Sequence, residues 1–387
     1  MKLIEVKDKS SRKAFLEFPV KLYKQERNWI RPLDKDIESV FDPKQNKYFR
    51  HGDAIRWVLE DESGEIVGRV AAFVDRKTMK KGVKAGGMGF FECIDDEKAA
   101  HILFDACRQW LEKHDAEGMD GPINFGDRDR WWGLLVDGYT EPNYCMPYHF
   151  PYYQQLFENA GFQLYFKQYT YARRTKEGGL LEKVQDKADR ISRNPAYSFK
   201  HIEKKHLERY GEDFRTIYNK AWVKHAGVGG MSKVQAMSTM NKLRPVLDEK
   251  IVWFAYFNDE PVGFFINLPE LNQIFKHLNG KFDLWAKLKF LYHKWTGSCR
   301  KMFGVAFGIV PEHQGKGLEG ALVVASTSYV WSKESPYEDF EMNWIGDFNP
   351  KMMRVAEDVG GRIFKTHHTY RKLFDPTKPF ARAPIIE

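Results

Sequence analysis

One stretch constrains the fold more than any other. Residues 302–310, Met-Phe-Gly-Val-Ala-Phe-Gly-Ile-Val, form an apolar run with strand composition. They lead into Pro311-Glu312-His313-Gln314-Gly315-Lys316-Gly317, and 318–331 then reads as a helix with Leu318, Leu322, Ala325 and Tyr329 on one face. A buried strand that breaks at a Gly-rich turn and opens a helix converges unpaired backbone N–H groups on one point, at the positive end of a helix dipole. Glycine lets an anion approach such a backbone closely. The spacing is neither the G-x-G-x-x-G of dinucleotide sites nor a P-loop ending in Gly-Lys-Ser/Thr. The corner predicts a phosphate or pyrophosphate ligand; an ordinary strand–turn–helix corner is the plain alternative.

At 387 residues the chain is long for one core, and two domains are expected. No run approaches ~18 uncharged apolar residues, so no transmembrane helix is predicted. The N-terminus carries acids where a signal peptide would be apolar. Cys93, Cys107, Cys145 and Cys299 lie too far apart for a disulfide ladder or a CxxC metal pair. The reading is a cytoplasmic protein without a metal. The net charge of +8 is uneven: residues 1–175 carry 28 basic and 28 acidic side chains, residues 196–387 carry 28 and 21. A positive field in the half with the loop would attract a polyanion or an anionic membrane surface. No nucleic-acid motif accompanies it, and no nucleic-acid partner is expected.

The first half, 1–175, alternates helices and strands: a helix over 11–27, strands at 55–60 and 66–75, a strand at 89–94, a helix over 97–114, and a short strand at 124–125. A helix follows from 152 and stops at Gly161, and a last strand covers 163–173. Residues 176–195 are a charged linker helix ending at Asn194-Pro195. The second half, 196–374, repeats the order with helices at 208–224 and 232–247, a hairpin over 251–257 and 261–267, and an insertion, 268–300, before the loop-bearing strand. A strand at 339–345, a helix over 351–359 and a final strand precede a tail, 375–387.

With the order in view, Gln314-Gly315-Lys316-Gly317-Leu318 after Val310-Pro311 resembles the pyrophosphate loop of the GNAT N-acetyltransferase superfamily, Q/R-x-x-G-x-G/A. Glu319 departs from the family's Gly or Ala, and competes with a phosphate unless it points away. The resemblance implies an α/β (α+β) fold of two tandem GNAT-like domains, each a mixed, mostly antiparallel sheet flanked by helices. The first half has three carboxylates at 95–97 where the loop should be, so the resemblance makes it a copy that no longer binds the cofactor. In the second half it implies acetyl-coenzyme A or a longer acyl-coenzyme A, held by Ile309, Val310, Gln314, Gly315, Lys316, Gly317, Leu318 and Asn349. A backbone N–H near Ile309 or Val310 would polarise the thioester. The family's usual proton-donating tyrosine falls on Ala356. Glu341, Asp347 and Tyr370 are the candidate catalytic groups, with His313 a further candidate base; Trp222 and His225 border the acceptor site.

The insertion carries Leu284, Trp285, Leu288, Leu291, Tyr292 and Trp295 at helical spacing, with Lys287, Lys289 and Lys294 off the stripe. Such a helix suits a membrane interface or a lid over an apolar ligand, with Trp285 as a substrate contact; the commoner arrangement is a helix packed on its own domain. On the membrane reading, segment 283–295 would make peripheral contact with an anionic membrane face. The function expected is an acyl-coenzyme-A-dependent N-acyltransferase acting on a small or lipid amine, including a long-chain, sphingoid-like one. A non-catalytic acyl-coenzyme-A-binding protein and a Fem-type aminoacyl transferase are the alternatives. Oligomeric state is not legible.

Overall fold

The computed structural model describes residues 1–80, 82–177, 180–222 and 230–386. The first half comprises β1 (Lys2–Glu5), α1 (Lys9–Leu22), α2 (Asp34–Val40), β2 (Gly52–Glu60), β3 (Ile66–Asp75), β4 (Ala85–Cys93), α3 (Glu97–Glu112), β5 (Gly118–Gly121), β6 (Leu134–Asp137), α4 (Tyr153–Asn159) and β7 (Gln163–Arg174). A linking helix, α5 (Glu182–Ser192), leads to the second half. There follow β8 (Tyr197–His201), α6 (Leu207–Trp222), α7 (Lys233–Leu243), β9 (Val252–Phe257), β10 (Glu260–Pro269), α8 (Asn272–Phe275), α9 (Leu284–Trp295), β11 (Lys301–Ile309), α10 (Leu318–Val330), β12 (Asp339–Gly346), α11 (Pro350–Asp358) and β13 (Arg362–Leu373). Apart from β6 in the first half and the insertion helices α8 and α9 in the second, both halves repeat strand, two helices, three strands, helix, strand, helix, strand. The predicted strand at 124–125 is absent; Ile123 N–H makes a single bond to Met88 O, and the strand lies earlier, at β5.

Local chemistry sets the element ends. Asp8 accepts the Ser11 N–H at 2.8 Å and starts α1 as part of a capping box. Ser232 and Gln235 do the same for α7. The first helix ends at Leu22, short of the predicted 27, because Tyr23 leaves the helical path and buries its ring.

All strands join one sheet, in the order β1-β2-β3-β4-β5-β13-β7-β12-β11-β10-β9-β8, with β6 paired to β13 beside the path. Among the described residues, only β4 with β5 and β11 with β12 run parallel. The halves exchange their last strands. β7, from the first half, lies between β13 and β12, while β13, the last strand of the chain, pairs with β5 and so completes the first half. Successive residues of β2 fix the layers: Val58 packs with Phe15 of α1, whereas Trp57 and Leu59 pack in the core with Leu103 and Phe104 of α3. Helices therefore cover both faces of the first-half sheet. A second core joins α6 and α10 to β9–β12.

Candidate active site

The parallel pair β11·β12 holds register from Lys301↔Asp339 to Gly304↔Met342, and then the strands part. On the other side, Ile266 pairs with Ala306 and Asn267 with Gly304, which leaves Val305 as a β-bulge. Val305 thus has a ladder partner on neither neighbour. β12 is irregular at the same level: Met342 pairs with Tyr171 and Ile345 with Tyr169, so Asn343 and Trp344 together oppose Thr170. The result is a V-shaped opening, half-buried on both walls, with backbone groups that a ligand can satisfy. The first half has the same device. β4 and β5 part after Gly87↔Asp120, and the step from Arg69↔Glu92 to Ala71↔Gly89 puts a bulge at Phe90-Phe91, with Phe90 at φ +50°.

Beyond the opening lies the Gly-rich corner. Gly315 (φ 71°) and Gly317 (φ 99°) take left-handed conformations that favour glycine. Gln314 Nε2 donates to Ile309 O at 2.8 Å and ties the loop to its strand. A Cβ on Gly315 would meet nothing within 4 Å, whereas one on Gly317 would lie 2.8 Å from Lys187 Cβ on α5. The linking helix therefore buttresses the loop, and Gly320 packs α10 on Val184 of the same helix. A phosphate fits this corner on one condition. Glu319 Oε1 accepts the Gly315 N–H at 3.0 Å and so stands where a phosphate oxygen would go. The Val310 N–H is engaged by Val262 O at 3.0 Å. The strand position free of ladder partners is Val305, not the expected Ile309–Val310. In the first half, Asp96 accepts the Ala99 N–H at 2.8 Å and closes the equivalent corner with its own carboxylate.

No family model matches the chain. A curated relative from Caulobacter vibrioides, described as a bacterial ceramide synthase, is 28% identical over 382 residues, covering 96% of this chain and 97% of its own. Among solved structures, a tandem GNAT protein from the clavulanic acid biosynthesis pathway superposes with a TM-score of 0.56 at 11% identity, covering 97% of this chain and 99% of that one. The chain has a tandem GNAT fold. A GCN5-related glucosamine N-acetyltransferase region of a fungal multi-domain β-N-acetylglucosaminidase also superposes at 0.56, with 13% identity over 96% of this chain; the chain spans only 38% of that larger one.

Within the GNAT fold the predicted residues scatter. The opening and corner bring together Ile309, Gln314, Gly315, Lys316, Gly317 and Leu318. Asn349 caps α11, accepting the Met352 N–H at 3.2 Å. Asp347 is paired with Arg382 of the tail. Tyr370 sits in the first-half core, its hydroxyl bonded to Glu158 at 3.1 Å. Strand exchange carried it there, two strands from β12, so it does not supply a donor at the loop. His313 is bonded to the Tyr197 hydroxyl at 2.7 Å, on the β8–β9 side. Ala356 is buried against Tyr171 of β7. His225 lies outside the described residues, and so does the side chain of Trp222.

Glu341 is not placed to act as a base. It is 2% exposed and binds the ammonium groups of Lys301 and Lys365, the latter at 3.1 Å, as well as Asn143 Nδ2 at 2.7 Å. Burial opposes its charge, but the two lysines outweigh that and hold the carboxyl below its usual range. The group sequence reasoning passed over is Glu270. Its Oε1 accepts the N–H groups of Tyr144 and Asn272, both at 2.8 Å, while Oε2 has no partner among the described residues. Burial pushes this carboxyl up to about 7, Lys301 nearby only partly opposing it. Nothing in its spacing marks it; the signal was one acid closing an apolar strand. Because its folded pKa lies above the usual value, its contribution favours folding at low pH and is lost as pH rises through 7. Above that, an ionised Glu270 costs up to about 3 kcal/mol. Glu270→Gln is therefore expected to raise the denaturant midpoint relative to the parent at pH 8 but not at pH 5.

The insertion reverses the commoner expectation. Helix α9 starts at Asp283, which accepts the Ala286 N–H, and buries only Ala286 and Phe290, against Leu33, Phe275 and Leu278. Leu284, Trp285, Leu288, Leu291, Tyr292 and Trp295 point outward, 50% to 85% exposed. Trp285 thus lies on an outer face rather than in the opening. Lys287 and Lys289 have no polar partner among the described residues, whereas Lys294 donates to Pro245 O at 2.6 Å. No helix of the described residues is long and apolar enough to cross a membrane, and none of their His, Cys, Asp or Glu side chains group to hold a metal.

Proposed function

We propose that the protein transfers the acyl group of an acyl-coenzyme A to an amine that carries a long apolar chain, working at an anionic membrane surface. The observation that carries the reading is the opening between β11 and β12, which has a bulge at its base and a left-handed Gly corner beyond. When bound, coenzyme A supplies the activated thioester. The corner's N–H groups and the α10 dipole would hold its pyrophosphate once Glu319 turns away. The Val305 N–H, at the bulge, would donate to the carbonyl oxygen as charge builds there. The amine proton would pass to water at the opening, since Glu270 sits level with Lys301 at the paired end of β11. The exposed stripe of α9, flanked by Lys287 and Lys289, supports the membrane and the long-chain acceptor. The Caulobacter vibrioides relative described as a ceramide synthase supports an acceptor of the same kind.

Glu319→Ala should tighten octanoyl-coenzyme A binding severalfold, since a carboxylate at a helix start is worth about 0.3–1 kcal/mol. Gly315→Asp, in open space, should abolish binding while the protein stays folded. Calorimetry on the three proteins reads both effects; unchanged affinity in Gly315→Asp would sink the assignment of the corner. Release of free thiol from octanoyl-coenzyme A in the presence of dodecylamine tests transfer itself. Binding without release would favour the non-catalytic reading, which Ala356, standing where the family has its tyrosine, supports.

A further inference from the structure

The inward face of α9 ends in a group that titrates. Ala286, Phe290 and His293 stand at i, i+4 and i+7, so one face of the helix carries all three. Ala286 and Phe290 pack in the small core with Leu33, Phe275 and Leu278, where the Phe275 and Phe290 rings lie 5.8 Å apart. About one turn further along α9, His293 lies on His277, which stands just beyond the end of α8. The two rings are within 8° of parallel, their centroids 4.1 Å apart. His293 Nδ1 also lies 3.2 Å from Ser298 Oγ, which orients its ring at the helix end.

Such a stack holds only while at least one ring is neutral. Neutral imidazoles pack face to face, but two imidazolium rings set unit charges about 4 Å apart, a repulsion that even in water shifts an equilibrium about fivefold. The surroundings add to that charge. Lys276 precedes His277, and Lys294, which donates to Pro245 O at 2.6 Å, follows His293. Glu141 of the first half is the opposing carboxylate, and Lys276 already binds it at 3.0 Å. Partial burial, His293 and Lys276 together hold the His277 pKa below its usual value, with Glu141 opposing them. A lowered folded-state pKa means that the stack contributes in full above the ordinary histidine value of about 6.5, and that the contribution is lost as pH falls below it. Glu270, buried at the start of α8, titrates with the opposite sign, since its protonation favours the fold.

We propose that the His277–His293 stack is a proton-operated latch on the insertion: with the rings neutral it pins the end of α9 to the turn after α8, and protonation of both rings releases that end. The apolar anchors, Ala286 and Phe290, hold the earlier turns of the helix. Gly297, at φ 72° and with nothing within 4 Å of where a Cβ would stand, supplies a hinge before Arg300 N–H is fixed to Gln273 Oε1 at 2.8 Å. The latch depends neither on the activity nor on the membrane proposed above. Where the membrane reading holds, it gains a direction. An anionic surface at about −30 mV lowers the local pH by about half a unit, so the helix is freed, with added positive charge, where its outer stripe inserts.

The test is amide hydrogen exchange of the full chain at pH 7.5 and 5.5, corrected for the intrinsic rate at each pH. Segment 284–295 should exchange at least fivefold faster at pH 5.5, while α3 stays unchanged. His277→Phe keeps a ring to stack and removes a proton site; its segment 284–295 should exchange at the slow rate at both pH values. His277→Lys carries its charge at both and should exchange fast at both. His277 stands at the surface, so each variant is expected to fold. Equal protection of 284–295 in the parent at the two pH values overturns the proposal. So does the parent's acceleration reappearing in His277→Phe, or slow exchange in His277→Lys at pH 7.5. Exchange needs neither vesicle nor substrate, so its result is separate from that of the membrane reading.

Discussion

Glu341→Gln is expected to destabilise the protein by about 3–5 kcal/mol, read as a fall in the denaturant midpoint without a change in slope. The carboxylate is the shared counter-ion of Lys301 and Lys365, and Lys365 is nearly as buried as Glu341. Removing one charge leaves the other ammonium groups in a low-dielectric interior with a neutral amide between them. Burial already pulls the Lys365 pKa down, and the loss of Glu341 would pull it further. The double variant Glu341→Gln/Lys365→Met should recover part of the loss, because an apolar replacement removes the orphaned charge as well. A single variant within about 1 kcal/mol of the parent would mean that the cluster is solvated.

Trp285→Ser with Trp295→Ser should leave the unfolding temperature almost unchanged and yet reduce partitioning onto anionic vesicles about thirtyfold or more. Both rings are at least three-quarters exposed, so the fold loses little with them. Burying a large apolar side chain is worth about 1.5–3 kcal/mol, and even partial insertion of two rings sums to about 2 kcal/mol. Sedimentation with vesicles of phosphatidylglycerol checks this, and neutral vesicles measure the share of Lys287 and Lys289. No binding by the parent protein would remove the membrane from the proposed function.

What could be read in the sequence was local. The Gly corner declares itself because left-handed backbone, helix start and strand end fall within a few residues, and the structure places Gly315 and Gly317 at positive φ as that logic requires. The stripe of α9 was legible as a period, but not the side it would face. That depends on Phe275, Leu278 and Phe290, which share one small core with Leu33, more than 240 residues earlier. The buried cluster could not be found by spacing, since Asn143, Lys301, Glu341 and Lys365 come from four distant segments. Only the alternation of Lys365, His367 and Thr369 along β13 hinted that this strand turns a polar row inward. Tyr370 was misplaced for a related reason: β7 and β13 have similar strand patterns, and composition does not say which neighbour each will choose.

The interleaving of β7 and β13 bears on how the molecule is made. As the chain leaves the ribosome, the first half emerges with β5 unpaired on the flank that β13 will later occupy, and it waits about 250 residues for that partner. The half that is synthesised first is thus finished last. Contacts of such sequence separation slow folding and leave a strand edge open to wrong partners in the interval. A nascent chain stalled or cleaved before residue 362 would lack the strand that seals both halves, so two duplicated units that look separable in sequence live or die as one.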